Sequence, residues 1–142
     1  MPAVVYCSAH RLAPGHAVLE GQALINALVG AVCTLSGRAI NALRDPQAEQ
    51  LTLALMQEVI QVGRAEGAKF ADDAAHRALK RIMESSAEHF PSITQDRLAG
   101  QATEWVIRNQ VIVRLAAKHG IAVPLNAEIT ALLRLGEPSG AL

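Results

Sequence analysis

The segment from residue 91 to residue 126, PSITQDRLAGQATEWVIRNQVIVRLAAKHGIAVPLN, contains a dense series of helix-starting and helix-ending signals, and it constrains the fold more than any other part of the chain. Ser92 is placed to cap a short helix, which Gly100 can end with a positive φ angle. Thr103 is placed to cap a second helix that opens on Glu104, where the helix dipole favours a carboxylate. The segment therefore predicts two helices in close succession.

The helix that opens on Glu104 is apolar over most of its circumference until Gly120 ends it, and Pro124 marks the start of the next helix. An apolar surface of this extent predicts the central and most enclosed helix of an all-α domain. Chemistry is expected at the polar residues that gather where the two helices begin: Ser92, Asp96 and Glu104. Glu104 also has a purely structural interpretation, as a helix-start charge paired with Arg108 one turn later, and spacing alone favours it.

The composition describes one domain with an aliphatic core. Of the 142 residues 51% are hydrophobic but only 3% are aromatic, so Ala, Leu, Ile and Val must fill the interior. Thirteen basic and thirteen acidic side chains leave no charge footprint for nucleic acid or an anionic membrane. The longest apolar run, residues 23–35, is shorter than the ~20 residues that span a bilayer.

Localisation and metal binding are also constrained by the sequence. The two cysteines, Cys7 and Cys33, have no metal or redox spacing, and the five histidines show no pair at metal-ligand spacing. These spacings predict no metal site. No signal peptide is visible, so we expect a cytoplasmic protein.

Hydrophobic periodicity predicts about six helices behind one short strand. Residues 3–8, AVVYCS, are the only plausible strand, because they are rich in β-branched and aromatic residues. Asp45 followed by Pro46 is a strong helix-start signal. Small residues along the helix before it, Gly30 among them, indicate tight packing against another helix. The last helix is expected over residues 125–135, with a frayed tail, GEPSGAL.

The signals in residues 91–126 resemble the C-terminal domain of 2-dehydropantoate 2-reductase (ketopantoate reductase). That family's signature reads Ser-Met-x-x-Asp, then Gly-Arg/Lys-x-Thr-Glu, then a long helix closing in Gly-x-x-x-Pro-x-Asn. The chain supplies these residues at matching spacing: Ser92, Asp96, Gly100, Thr103, Glu104, Gly120, Pro124 and Asn126. Upstream, ALINALVGAVCTLSG is similar to the first helix of that domain, with Asn26 on a recurring asparagine. The resemblance implies an all-α, single multi-helix domain like those at the C-termini of ketopantoate reductase and 6-phosphogluconate dehydrogenase.

The first residues of the chain resemble a different part of the same family. AVVYCSAHRLAPGHAVLEG is similar to a strand and turn near the end of the nucleotide-binding domain. We therefore expect residues 1–21 to be a remnant of that domain and residues 22–142 to be the helical domain. On this interpretation the chain is an orphan C-terminal domain that lacks the NADP-binding Rossmann domain.

The resemblance implies NADPH-dependent reduction of a 2-oxo acid, ketopantoate, to its 2-hydroxy acid. A lysine at the start of the first helix gives the family its proton donor, and a glutamate matching Glu104 engages a substrate or cofactor hydroxyl, which makes Glu104 the candidate catalytic residue. Asn26, Ser92 and Asp96 are the candidate substrate-binding residues. NADP belongs to the family, but we expect this chain alone to bind no cofactor.

Several positions depart from the family pattern. Gln22 stands where the family has its lysine, and an amide cannot deliver a proton, so the loss should cost roughly 10²–10⁴ in rate. Gly30 and Ile40 stand where some members carry further substrate-binding asparagines. Ile93 replaces the usual methionine, and Gln101 replaces the usual arginine or lysine.

Three functional hypotheses remain open. The favoured one is a non-catalytic substrate-binding and dimerisation module, which forms a homodimer through an exposed helical face. The alternative is a 2-dehydropantoate 2-reductase-type oxidoreductase that acts with a separate Rossmann-domain protein. A gene remnant without a selected function is the third, so whether the chain is an enzyme stays open at this point.

Overall fold

The computed structural model describes residues 22–140, and it describes every side chain in that range except those of residues 22–26, 85, 86 and 107. The described part is all-α, as predicted, with these six α-helices: α1 (Gln22–Ser36), α2 (Pro46–Ala65), α3 (Ala74–Ser86), α4 (Ser92–Leu98), α5 (Val111–His119) and α6 (Pro124–Leu135). A 3₁₀ helix, Ile40–Arg44, follows α1, and a π-helical segment, Val106–Gln110, leads directly into α5. The predicted strand at residues 3–8 lies outside the described residues, as does the whole of the segment 1–21.

The helix at the centre of the domain is α1. Every residue from 27 to 34 is buried, and the helix packs against α2, α3, α4, α6 and the π-helical segment. The prediction that the helix opening on Glu104 is the most enclosed one is wrong. Within α5 only Ile112 and Ala116 are buried, because the helix is amphipathic and the face that carries Arg114 and Lys118 is exposed.

The small residues of α1 allow a close approach to α4, as predicted. A Cβ atom added to Gly30 would lie 2.8 Å from Cγ2 of Ile93, which is closer than two carbon atoms can pack. Four residues further along, the hydroxyls of Thr34 and Thr94 are joined by a buried hydrogen bond of 3.0 Å. The two helices are therefore locked together at a backbone separation that only glycine permits at position 30.

Some of the predicted helix signals act as expected. The Asp45 carboxylate caps α2 by accepting hydrogen bonds from the backbone N–H groups of Gln47 and Ala48, at 2.9 and 3.1 Å. Gly100 and Gly120 have positive φ angles, 72° and 66°, and each follows the end of a helix.

The family's Pro-x-Asn motif has a structural role in this chain. The Glu58 carboxylate, which projects from α2, accepts hydrogen bonds from the backbone N–H groups of Leu125 and Asn126 at the start of α6, at 3.0 and 2.9 Å. The buried Asn126 amide donates to the same carboxylate at 2.8 Å and to the Leu55 carbonyl at 3.2 Å. A side chain of one helix thus caps the next, which fixes α6 against α2.

The chain immediately after α6 is held against the domain at Glu137, whereas the sequence predicted that the whole tail GEPSGAL would be frayed. Glu137 is buried, and its carboxylate accepts a hydrogen bond of 2.7 Å from Nη2 of Arg97 and one of 2.9 Å from the backbone N–H of Thr103. Arg97 also donates to the carbonyl of Leu133 at 2.8 Å. These contacts hold the tail against α4 and against the loop that precedes Glu104. None of the helices between residues 22 and 140 is long and apolar enough to cross a membrane.

Candidate functional site

A single guanidinium group joins two of the predicted site residues. Arg108 donates to Oε2 of Glu104 from both Nε and Nη2, at 3.1 and 2.9 Å, and its Nη2 also donates to the hydroxyl of Ser92 at 3.3 Å. The Arg108 side chain is 21% exposed and that of Glu104 is 38% exposed. Ser92 and Glu104 are therefore brought together at a half-buried ion pair that faces solvent on one side.

Neither Ser92 nor Thr103 acts as a helix cap, contrary to the prediction. α4 follows directly on Pro91 without any side-chain cap, and the Ser92 hydroxyl accepts from Arg108 instead. Thr103 gives its backbone N–H and its hydroxyl to the Glu137 carboxylate. Both polar groups are thus used in contacts between elements distant in sequence, which local spacing cannot reveal.

Arg108 lies in the π-helical segment, and its neighbour Asn109 anchors that segment to the core. The Asn109 side chain is 1% exposed and donates to the carbonyl of Ala27 in α1 at 3.0 Å, while its Oδ1 is buried without a hydrogen-bond partner. This hydrogen bond joins the segment that carries Arg108 to α1 at Ala27, the residue that follows Asn26. The side chain of Asn26 lies outside those described, so its role in ligand binding stays a prediction.

Asp96 is not brought into the contacts made by Arg108. It is half-buried on α4, one turn after Ser92, and its carbonyl accepts from the N–H of Gln101 at 2.8 Å. Within residues 22–140 the Asp96 carboxylate makes no hydrogen bond or ion pair. Its assignment as a substrate-binding residue stays a prediction.

Glu137 is the residue of the site region that the sequence analysis missed. Burial alone would raise the pKa of its carboxyl, but hydrogen bonds from the Thr103 hydroxyl and N–H and from Arg97 outweigh that effect and lower its pKa. The ionised carboxylate therefore fixes Thr103, and with it the start of the segment that carries Glu104. The only sequence signal was an acidic residue immediately after the helix-ending Gly136.

The ion pair can bind an anion, but it does not provide a proton donor. A guanidinium keeps its proton throughout the physiological pH range, so Arg108 can stabilise negative charge without releasing a proton. Residues 22–140 contain no strand-to-helix glycine turn of the kind that cradles a pyrophosphate. In the same range no three His, Cys, Asp or Glu side chains are grouped to hold a metal ion.

The chain is similar to known proteins of one family. The family model described as "Ketopantoate reductase PanE/ApbA C terminal" matches residues 19–137. The 2-dehydropantoate 2-reductase of Caulobacter vibrioides is 40% identical over 104 residues, which are 73% of this chain and 36% of that protein. The 2-dehydropantoate 2-reductase of Mycobacterium tuberculosis is 36% identical over 78% of this chain and 37% of that protein.

Solved structures match the helical fold. The PanE/ApbA family ketopantoate reductase from Ralstonia eutropha superposes with a TM-score of 0.74 and 32% identity, over 82% of this chain and 39% of that one. A dimeric ketopantoate reductase from Staphylococcus aureus has the same fold, with a TM-score of 0.77 and 21% identity over 82% of this chain and 41% of that one. The chain thus spans less than half the length of each of these relatives, and the matched part corresponds to their helical domain. It belongs to the ketopantoate reductase family, as a C-terminal helical domain.

Proposed function

We propose that this helical domain binds a 2-oxo acid without reducing it and associates with a second copy of itself. The observation that carries the proposal is the contact of Arg108 with both Ser92 and Glu104. The guanidinium supplies a permanent positive charge to a site in which Gln22 stands where the family resemblance expects a lysine. A site with a fixed cation and no proton donor is suited to holding the carboxylate of an acid and is poorly suited to reducing a ketone.

The ligand class follows from the relatives. Both curated relatives are 2-dehydropantoate 2-reductases, and 2-dehydropantoate (ketopantoate) carries a carboxylate next to its ketone. The half-exposed ion pair is open to an acid of this kind from solvent. We therefore propose ketopantoate, or a closely related 2-oxo or 2-hydroxy acid, as the ligand.

Exposed leucines support self-association. Leu98 at the end of α4 and Leu132 and Leu135 on the last turns of α6 are 61%, 51% and 74% exposed. Arg97 joins the ends of these two helices, so the leucines flank a shared region of the surface. The Staphylococcus aureus relative is dimeric. We propose that this chain forms a homodimer through the exposed helical face that carries these leucines, and that it works in the cytoplasm.

The proposal is tested by mixing the purified chain with NADPH and ketopantoate. We expect the absorbance of NADPH to stay constant, and we expect calorimetry to detect binding of ketopantoate but not of NADPH. The full-length Caulobacter vibrioides relative serves as the positive control for both reagents. Oxidation of NADPH by the chain alone would contradict a non-catalytic role.

The convergence of Ser92 and Glu104 also favours a second candidate, a 2-oxo acid reductase that is completed by a nucleotide-binding protein. It is tested with a chimera that joins residues 22–142 to the nucleotide-binding half of the Caulobacter vibrioides relative. If the lysine supplies the missing proton donor, Gln22→Lys should raise the reduction rate of the chimera by about 10²–10⁴. A chimera that is inactive both with Gln22 and after Gln22→Lys would exclude this candidate.

A further inference from the structure

We propose that the cavity between the 3₁₀ helix and α3 is a binding site for an aliphatic carboxylic acid, separate from the ion pair of Arg108 and Glu104. The cavity has a volume of about 500 Å³, which falls within the range of roughly 300–1,000 Å³ typical of small-molecule sites. One wall is formed by the 3₁₀ helix and the first turn of α2, and the other is formed by α3. The family resemblance assigns no ligand contact to any residue that lines this cavity.

The inner surface of the cavity is apolar. Leu43 and Leu79 are buried, at 2% and 5% exposure, and Met83 is half-buried one turn after Leu79. The four lining positions on α3, at residues 76, 79, 80 and 83, have the spacing of a single helix face. An alkyl chain that contacts these side chains leaves water, which is the main source of affinity for an apolar ligand. The interior of the cavity therefore favours an aliphatic chain.

The charged side chains that line the cavity are mostly basic. Arg44 and Lys80 are exposed cations, and His76 adds a third positive charge when it is protonated. Glu49 is the one acidic residue of this lining. Within residues 22–140 the Arg44 guanidinium makes no hydrogen bond or ion pair, and Lys80 has only a solvent-exposed pair with Glu84 at 3.8 Å. A carboxylate at the mouth of the cavity can therefore bind the donors of Arg44 without displacing an existing partner.

The two walls of the cavity are held together by backbone hydrogen bonds. The N–H of Ile40 donates to the carbonyl of His89 at 3.0 Å, and the N–H of Asn41 donates to the carbonyl of Ala87 at 2.6 Å. These bonds join the 3₁₀ helix to the chain that follows α3. The Asp45 cap fixes the first turn of α2 in the same wall. Because the cavity is formed in advance, a ligand can bind with little ordering of the backbone.

The test is an NMR titration of the ¹⁵N-labelled full chain with octanoate, which joins an alkyl chain to a carboxylate. Octan-1-ol has the same chain without the charge, and acetate has the charge without the chain. Arg44→Gln and Glu49→Gln change the charge of the cavity in opposite directions, and both side chains are exposed, so neither substitution disturbs the core. Arg114→Gln is the matched control, because Arg114 is an exposed arginine on α5, which does not line the cavity. Circular dichroism establishes that each variant is folded.

We expect octanoate to shift the amide resonances of the residues that line the cavity, those of Leu43 and Leu79 among them. Octan-1-ol should bind at least about threefold more weakly because it lacks the charge, and acetate at least about a hundredfold more weakly because it lacks the chain. Arg44→Gln should weaken octanoate binding about three- to tenfold. Glu49→Gln should strengthen it about two- to threefold by removing an opposing charge, and Arg114→Gln should have no effect.

The proposal is overturned if octanoate leaves the resonances of the cavity unchanged and shifts those of the exposed leucines on α4 and α6 instead. It is also overturned if octan-1-ol binds as tightly as octanoate, or if Arg44→Gln binds octanoate as wild type does. Excess ketopantoate should not displace octanoate, and displacement would contradict a separate site. Octanoate binding requires neither binding nor reduction of ketopantoate, so its absence leaves the function proposed above unaffected.

Discussion

At the scale of single residues, Glu137 makes a buried ion pair with Arg97. Its carboxylate joins three parts of the chain, which are α4 through Arg97, the loop before Glu104 through Thr103, and the tail itself. Arg97 already carries one buried N–H without a partner, on Nε, so it depends on Glu137 for the pairing of its charge. The contact therefore couples the stability of the domain to the position of the candidate site.

Replacing Glu137 by glutamine should destabilise the fold. The substitution keeps the shape of the side chain but removes the charge that Arg97 and Thr103 bind, and we expect a loss of about 2–3 kcal/mol in the free energy of unfolding. Urea denaturation at pH 7 measures it. Glu84→Gln is the control, because Glu84 forms an exposed pair with Lys80 at 3.8 Å and should change stability by less than about 0.5 kcal/mol. Equal effects of the two substitutions would contradict the role of Glu137.

The pH dependence of stability should report the same carboxylate. The pKa of Glu137 is lower in the folded chain than the unfolded value of about 4.3. The contribution of this carboxylate to the free energy of unfolding is therefore complete above that pH. The contribution is lost as the pH falls below about 4 and through the lowered folded-state pKa. Urea midpoints measured between pH 7 and pH 3 should thus fall less steeply for Glu137→Gln than for wild type. Parallel curves would show that this group does not titrate as described.

At the scale of helices, α1 and α4 approach each other closely at Gly30 and Ile93. The atom that a new Cβ would strike, Cγ2 of Ile93, belongs to a β-branched side chain that is buried and cannot turn away. The family's methionine has no methyl group at that branch. We infer that the glycine at position 30 and the isoleucine at position 93 depend on each other.

A double-mutant cycle tests this dependence. Gly30→Ala alone should lose about 1–2 kcal/mol, because the cost of overpacking exceeds the gain in helix propensity. In the Ile93→Met background the clash is absent. The double variant should therefore lose less free energy of unfolding than the two single losses added together, by at least about 1 kcal/mol. Chemical denaturation of the four proteins gives the coupling. Additive effects would mean that the two helices can move apart at little cost.

Several local helix signals were predicted correctly, whereas contacts between distant elements were not predicted. The Asp45 cap and the glycine at position 120 act within a few residues of the helix end, so short patterns were sufficient to find them. Thr103 and Glu137 are 34 residues apart, and Asn109 is 82 residues from the Ala27 carbonyl that it binds. No periodicity links such pairs, which is why Thr103 was mistaken for a cap and the tail was expected to fray.

The candidate site was predicted in part for the same reason. The family motif named Ser92 and Glu104, and the spacing of four residues between Glu104 and Arg108 indicated their ion pair. The hydrogen bond from Arg108 to Ser92 depends on how α4 and the π-helical segment are each placed against α1. Only the three-dimensional arrangement shows that one arginine serves both residues.

At the scale of the whole molecule, the open question is what covers the exposed leucines. We expect the wild-type chain at tens of micromolar to have a light-scattering mass of twice 15.1 kDa. Replacing Leu132 and Leu135 by glutamate should give the mass of a monomer without loss of helix content, because both side chains are exposed already. Leu51→Glu on α2 is the control, and it should leave the dimer intact. A monomeric wild-type chain would contradict self-association.

The π-helical segment has a consequence for how the sequence can vary. Each residue of an α-helix turns by about 100°, so one extra residue in a turn rotates the residues after it relative to those before it. The direction in which Arg108 projects is therefore not fixed by the α-helical repeat that sets the packing face of α5. Substitutions that reshape the binding surface can accumulate on one side of the π turn while those that preserve the core are selected on the other. A domain built in this way can change the surface around Arg108 over evolutionary time and keep its fold.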